Sequence, residues 1–168
     1  VLAHDDGYMS FDGGTEVTTG SQRLEAKTTT AHFGKNETAL ERLELRGAAR
    51  IHTPAPQPGA FREMLAEEMT LAFEDTARVL ERATLSGGTV VELAGVDGKA
   101  GAQITAASMD VTMSPDGGDV SAITARDGVT LALPSTTAGA SEQISADTFA
   151  ARGTPETGLN TVEFTGDV

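Results

Sequence analysis

The amino-acid sequence predicts an all-β protein, a bent antiparallel sheet built from about four hairpin units of roughly 40 residues each. Three observations favour this fold class. A short motif recurs every 40 residues, turn-forming residues lie in the middle of each unit, and the apolar positions change phase at the same place in every unit. The sequence therefore predicts a stack of hairpins with one continuous apolar inner surface.

The recurring motif is an apolar residue followed two positions later by alanine. Its copies lie 40 residues apart in one register and are Leu24-Glu25-Ala26, Met64-Leu65-Ala66, Ile104-Thr105-Ala106 and Ile144-Ser145-Ala146. This spacing divides the chain into a partial leading unit at residues 1–22 and a repeat domain at residues 23–168. The units of the repeat domain are predicted at about 23–62, 63–102, 103–142 and 143–168.

Each unit is predicted to form one β-hairpin. Residues that close hairpins are concentrated in the segments 34–38, 74–78, 114–119 and 153–158. Aligned apolar residues precede each turn, and a return strand follows it, beginning near Leu40, Leu80, Val120 and Leu159. The sequence therefore predicts two strands of about 10 to 14 residues in each unit.

The apolar positions within a strand also predict a bend. In the second unit they occupy residues 64 and 66 and then 69, 71 and 73, so the inward-facing set changes parity between 66 and 69. The same change falls at 26–29, 106–109 and 146–149. Because alternate residues of a strand face opposite sides, a bulge or corner has to occur at these points and fold the sheet over itself along one crease.

The strongest competing interpretation of the fold is local. Residues 61–85 are rich in Glu, Met, Leu, Ala and Arg, which on intrinsic propensity favours a helix. Their counterparts at 104–113 and 144–151 carry Thr, Ser and Val beside glycine-containing turns, and such segments form poor helices. Because equivalent repeats share one structure, we expect strands in all of them.

Charge and composition limit the classes of partner. The chain has 12 basic and 25 acidic side chains and a formal net charge of -13, which argues against binding a nucleic-acid backbone. Residues 23–50 carry a net +2 and residues 101–168 a net -7, so we expect only one end to attract anionic head groups. The chain has no cysteine, which excludes disulfides, thiolate metal sites and thiol nucleophiles.

No residue pattern of the chain predicts catalysis. The sequence has no Gly-x-Ser-x-Gly, Walker A or dinucleotide-binding glycine motif, and its carboxylates do not align into a glycosidase pair. His32 and His52 lie on adjacent predicted strands, but two histidines without a third ligand make a weak metal site. The segment Pro115–Asp119 lacks the alternating acidic ligands of a calcium loop and is interpreted as a turn. We therefore expect a protein that is not an enzyme and that needs no metal or cofactor.

One unit, from Ile104-Thr105-Ala106 to Asp127-Gly128-Val129-Thr130-Leu131, resembles the OstA-like unit of the lipopolysaccharide-transport proteins LptA, LptC and the N-terminal part of LptD. An apolar-x-Ala opening, a second apolar pair, a hairpin turn and an apolar-x-apolar strand ending in glycine carry the likeness, which covers roughly residues 23–168. The resemblance implies a twisted, V-shaped β-jellyroll whose apolar groove shields the acyl chains of lipopolysaccharide or a related glycolipid.

The resemblance also implies a location, partners and binding residues. We expect a periplasmic protein of a Gram-negative cell, associated with the membrane through a segment that precedes Val1. Unpaired strands at the ends of the sheet are expected to pair with other OstA-like proteins of the export machinery, or with further copies of the chain stacked head to tail. The residues expected to line the groove are Phe33, Met64, Met69, Leu71, Phe73, Leu85, Ile104, Met109, Val111, Met113, Ile123 and Phe149.

One other function stays open on the residues alone, and a second is disfavoured. The same apolar side chains could fill the closed core of a structural repeat, such as an adhesin or a fibre segment. A sealed core would need large side chains at every inner position, and the recurring alanines Ala26, Ala66, Ala106 and Ala146 leave room there. A surface glycan hydrolase is disfavoured because the sequence has neither clustered aromatic residues nor an aligned pair of acids.

Overall fold

The computed structural model describes residues 3–5, 7–19, 22–34, 39–74, 79–95, 100–117, 119–134, 142–154 and 158–166. These residues form one antiparallel sheet of ten strands, so the predicted all-β class is confirmed. The strands are β1 (Ala3–Asp5), β2 (Tyr8–Thr19), β3 (Gln22–Phe33), β4 (Leu40–His52), β5 (Phe61–Phe73), β6 (Leu80–Ala94), β7 (Ala100–Met113), β8 (Val120–Leu133), β9 (Glu142–Thr154) and β10 (Gly158–Thr165). Neighbours in the sheet are consecutive in the chain, so the sheet is a meander.

The two strands expected in each hairpin pair with each other. β3 pairs with β4, β5 with β6, β7 with β8, and β9 with β10. The turn segments 34–38, 74–78, 114–119 and 153–158 lie partly outside the described residues.

Residues 61–85, where local propensity favours a helix, contain the strand β5 and the start of β6. Their buried residues alternate with exposed ones at a strand period on each side of the bend, and this burial outweighs the helical propensity of single residues. In the described part of the chain there is no helix long and apolar enough to cross a membrane.

A β-bulge interrupts the strands where the inward-facing set changes parity. Gly47 and Ala48 of β4 together oppose one residue, Glu67 of β5. Comparable register shifts occur in every pairing from β2 with β3 to β8 with β9. The even-numbered strands from β2 to β8 each carry two consecutive residues with positive φ there, namely Gly13–Gly14, Gly47–Ala48, Gly87–Gly88 and Asp127–Gly128. The bulges therefore align into a crease that divides the sheet into two arms.

The apolar core lies between the two arms. Met64 and Met69 of β5 stand on opposite sides of the crease, yet they are 0% and 1% exposed and belong to one apolar cluster. A residue of a single sheet is buried to this degree only when something covers that face of the sheet, and the described residues form no second layer other than the opposite arm. Each arm therefore covers the other, and burying a side chain of this size contributes about 1.5–3 kcal/mol.

The proline-rich loop between β4 and β5 packs against the end of β6. The Gly59 N–H donates to the carbonyl oxygen of Ala94 at 3.0 Å, and the Ala94 N–H donates to the carbonyl oxygen of Ala60 at 2.8 Å. Ala60 and the adjacent Phe61 are buried. The loop thus extends the hydrogen bonding of the sheet and closes the interior at this point.

Candidate functional site

Most of the residues expected to line a groove lie in the closed centre of the interior. Ten of the twelve are at most 4% exposed, and these are Met64, Met69, Leu71, Leu85, Ile104, Met109, Val111, Met113, Ile123 and Phe149. The other two, Phe33 and Phe73, are half-buried and pack at the edge of the core. The structure therefore divides the expected lining residues between a closed centre and a more open end.

An apolar cavity of about 440 Å³ lies at the open end, between strands β2 and β5. Nine of its eleven wall residues are apolar; the full set is Met9, Phe11, Val17, Thr18, Leu24, Thr29, Ala31, Phe33, Leu40, Leu43 and Phe73. The volume falls within the range of about 300–1,000 Å³ that is typical of small-molecule pockets. Such a wall suits a hydrocarbon chain, because it offers apolar contact and few polar groups.

The cavity exists because the inner side chains of the first unit are small. Thr29 and Ala31 of β3 occupy the positions that Met69 and Leu71 occupy in β5. The space that the larger pair fills in the second unit is therefore left open in the first. Sequence reasoning favoured the larger residues and missed this part of the site, although the alignment of Thr29 with Met69 carries the signal.

Comparisons with models of protein families, with curated proteins and with solved structures give no match to this chain.

The two strands that supply most of the cavity wall carry basic side chains on their solvent-facing surface. β3 and β4 hold five basic and three acidic residues, a net +2. The five basic residues are all exposed, and they are Arg23, Lys27, Arg42, Arg46 and Arg50. Strands β7 to β10 hold two basic and five acidic residues, a net -3. The two middle strands of the cavity wall are therefore positive, whereas β2 and β5, which complete the wall, together hold one basic and five acidic residues.

Ion pairs neutralise only part of this positive charge. The guanidinium groups of Arg42 and Arg46 each lie 3.3 Å from a carboxylate oxygen of Glu44. Arg50 donates from Nε to Glu63 at 2.6 Å. Because two guanidinium groups share the single carboxylate of Glu44, and because both are at least half exposed, positive charge remains there for an anion from solution.

The sheet ends in β1 and β2 on one side and in β10 on the other. At the β10 end the rings of Phe149 and Phe164 pack with their centroids 5.3 Å apart, and Val162 stands 48% exposed beside them. Among the described residues β10 pairs only with β9, and β1 covers only Tyr8–Ser10 of β2. Both ends therefore present strand backbone that could accept a further strand.

The histidines do not form a site with each other. His32 and His52 lie at opposite ends of the β3–β4 pairing, so the two-histidine arrangement considered from the sequence is not made. No group of three or more His, Asp or Glu within the described ranges is placed to hold a metal ion. In the segment interpreted as a turn, the Asp119 N–H donates to Ser114 Oγ at 3.0 Å, and the Ser114 N–H donates to the Asp119 carbonyl at 2.8 Å.

Proposed function

We propose that this chain is a lipid-binding and transport module that shields the acyl chains of lipopolysaccharide, or of a related anionic glycolipid, inside its bent sheet. The observation that carries the proposal is the apolar cavity between β2 and β5. Transfer of each methylene group from water to an apolar enclosure gains about 0.8 kcal/mol, so such a cavity holds an acyl chain without any catalytic residue.

In this proposal the fold is a V-shaped β-jellyroll of stacked hairpin units, the architecture of the OstA-like family that the sequence resembles. Two observations support it. The bulges recur at the same level along the strands in successive pairings. The apolar residues of the two arms form one cluster between the arms. A further opening of the arms would extend the cavity toward Leu71 and Val111, which are now closed.

The charge of β3 and β4 suits an anionic head group that remains in solvent while its chains enter the cavity. Arg42 and Arg46 share Glu44 and stay exposed on the outer surface of the same strands that form the wall. The acidic strands β7 to β10 would repel such a head group. The apolar cavity and the exposed arginines of β4 would together hold the lipid at the β2–β5 end.

Assembly in the periplasm would use the strand edges. A further strand added beside β2 or β10 would satisfy backbone groups that have no partner strand among the described residues. Other OstA-like proteins, or further copies of this chain in a head-to-tail stack, are the proposed partners. Such a stack would join the cavity of one molecule to the interior of the next.

The second candidate function is a sealed structural repeat of an adhesin-like or fibre-like surface protein. The closed centre favours it, since ten of the expected lining residues are at most 4% exposed and leave no room for a ligand. The cavity beside Thr29 and Ala31 favours lipid binding instead.

Photocrosslinking with purified lipopolysaccharide distinguishes the two functions. Benzoylphenylalanine is placed at Phe33 or Phe73, where it replaces a phenylalanine of the cavity wall. The matched control is Thr84, which is exposed on the outer face, next in sequence to the buried Leu85. We expect lipid adducts from both cavity positions and none from Thr84. The absence of adducts from both cavity positions would refute lipid binding and leave the sealed repeat.

A further inference from the structure

One polar group in the cavity wall has no hydrogen-bond partner. Thr29 is 1% exposed, and its hydroxyl oxygen makes no hydrogen bond within the part of the chain that the structure describes. A buried hydroxyl without a partner costs free energy, and buried polar groups of proteins are therefore almost always hydrogen-bonded. In the wall of a binding cavity, such a group points to a ligand atom that would complete it.

Threonine also departs from the pattern at this position. Its counterparts in the later units are Met69, Met109 and Phe149, which are apolar and at most 2% exposed. The other polar wall residue, Thr18, is exposed on β2. The first unit thus combines an open apolar cavity with the one buried side-chain hydroxyl of its wall.

Thr29 lines the cavity but is only 1% exposed, so its hydroxyl would meet a ligand after rotation about χ1 together with a small movement of the neighbouring side chains. The staggered positions on a threonine Cβ exchange its hydroxyl and its methyl group about χ1. The described wall supplies only the side-chain hydroxyls of Thr29 and the exposed Thr18.

We infer that the cavity selects an acyl chain that carries a hydrogen-bonding oxygen along its length, within reach of Thr29, over an unsubstituted chain. This inference rests on the proposed function and names the chemistry of its ligand. The oxygen of a chain hydroxyl or of an ester carbonyl would pair with Thr29 Oγ1, and the methylene groups on both sides would contact the apolar wall.

Competitive binding with fatty acids of one chain length tests the inference. The probes are the unsubstituted acid, a set of isomers that differ in the position of one hydroxyl group, and a set with a keto oxygen in its place. We expect at least one substituted isomer to bind wild-type protein about three- to tenfold more tightly than the unsubstituted acid, as one added hydrogen bond allows. A preference confined to the hydroxyl isomers would show that the ligand oxygen has to be a hydroxyl. A preference that the keto isomers share would show that a carbonyl oxygen is enough.

The variant Thr29→Val removes the hydroxyl at nearly constant shape, and Thr29→Ser retains it. We expect the preference to disappear in Thr29→Val and to persist in Thr29→Ser. Equal binding of all probes to wild-type protein, or an unchanged preference in Thr29→Val, would overturn the inference and leave the proposed function standing. Failure of every probe to bind would overturn the proposed function itself.

Discussion

Gly87 of β6 stands directly against Glu67 of β5 in the crease. Gly87 has φ +83°, and a Cβ atom built on it would lie 2.6 Å from the Cβ of Glu67. Its chain neighbour Gly88 has φ +69°, but a Cβ there would have no atom within 4 Å. Gly87 is therefore required both by its backbone conformation and by the lack of space, whereas Gly88 is required by its backbone conformation alone.

We expect Gly87→Ala to destabilise the protein more than Gly88→Ala. The left-handed backbone should cost about 1–2 kcal/mol at either position. The contact with Glu67 should add about 1–3 kcal/mol at Gly87 only, because a crowded site must move to admit the methyl group. Urea unfolding of both variants measures the difference. Equal losses of stability would show that the crease is not packed in this way.

The substitution Ala48→Gly should stabilise the protein. Ala48 is an exposed non-glycine residue with φ 53° in the crease. Glycine removes about 1–2 kcal/mol of left-handed backbone strain from the folded protein. It also raises the conformational entropy of the unfolded chain, which destabilises the fold by about 0.5–1 kcal/mol, so the net gain in stability should be roughly 0.5–1 kcal/mol. The control is Ala107→Gly, at an exposed bulge position without positive φ, where the melting temperature should fall instead.

Leucines of the closed centre and of the cavity should differ in their contribution to stability. Leu85 is 0% exposed, so Leu85→Ala should cost about 2–5 kcal/mol in the free energy of unfolding. Leu40 is half-buried at the cavity wall, and Leu40→Ala should cost less than half as much, because its neighbours already leave space. A comparable loss in the two variants would mean that the cavity is filled by the protein itself.

Removing basic charge beside the cavity should weaken the binding of anionic lipid. In Arg42→Gln/Arg46→Gln each lost charge should cost up to about 1 kcal/mol at low ionic strength. The matched control is Arg126→Gln/Arg152→Gln, which removes two exposed arginines from the acidic strands. Titration with lipopolysaccharide at two salt concentrations is the measurement, and the difference between variants should shrink at high salt because the Debye length shortens. Similar weakening in both double variants would argue against a head-group surface on β3 and β4.

The strands and the crease could be predicted from the sequence because both follow from a period. Ala66 and Met69 face inward from the two sides of a bulge, and a strand can present both to one core only if its register shifts between them. The same pattern in later units outweighed the helical propensity of residues 61–85. The 40-residue spacing is repeated along the chain, so it can be recognised even though the individual side chains vary from unit to unit.

The cavity could not be predicted from the same pattern, because it depends on volumes and not on period. Thr29 and Met69 hold equivalent inner positions, and only the packed structure shows that no neighbour fills the space beside Thr29. Arg42, Glu44 and Arg46 lie on one face of β4 because alternate residues of a strand do, but only the structure shows that both arginines pair with Glu44. The separation of His32 from His52 depends on the register of β3 with β4, which places the two histidines in different arms.

The most direct measurement of the central claim is the binding of lipopolysaccharide to a variant with a filled cavity. Thr29→Met/Ala31→Leu gives the first unit the inner residues that the second unit has at Met69 and Leu71. The added side chains occupy the open space, so the variant should fold at least as stably as wild-type protein. The control is Thr84→Met, which adds the same bulk to the outer face.

We expect wild-type protein and Thr84→Met to retain lipopolysaccharide on a size-exclusion column, and the filled variant to lose at least tenfold in affinity while remaining folded. Undiminished binding by the folded, filled variant would contradict the proposal that the cavity between β2 and β5 holds the lipid.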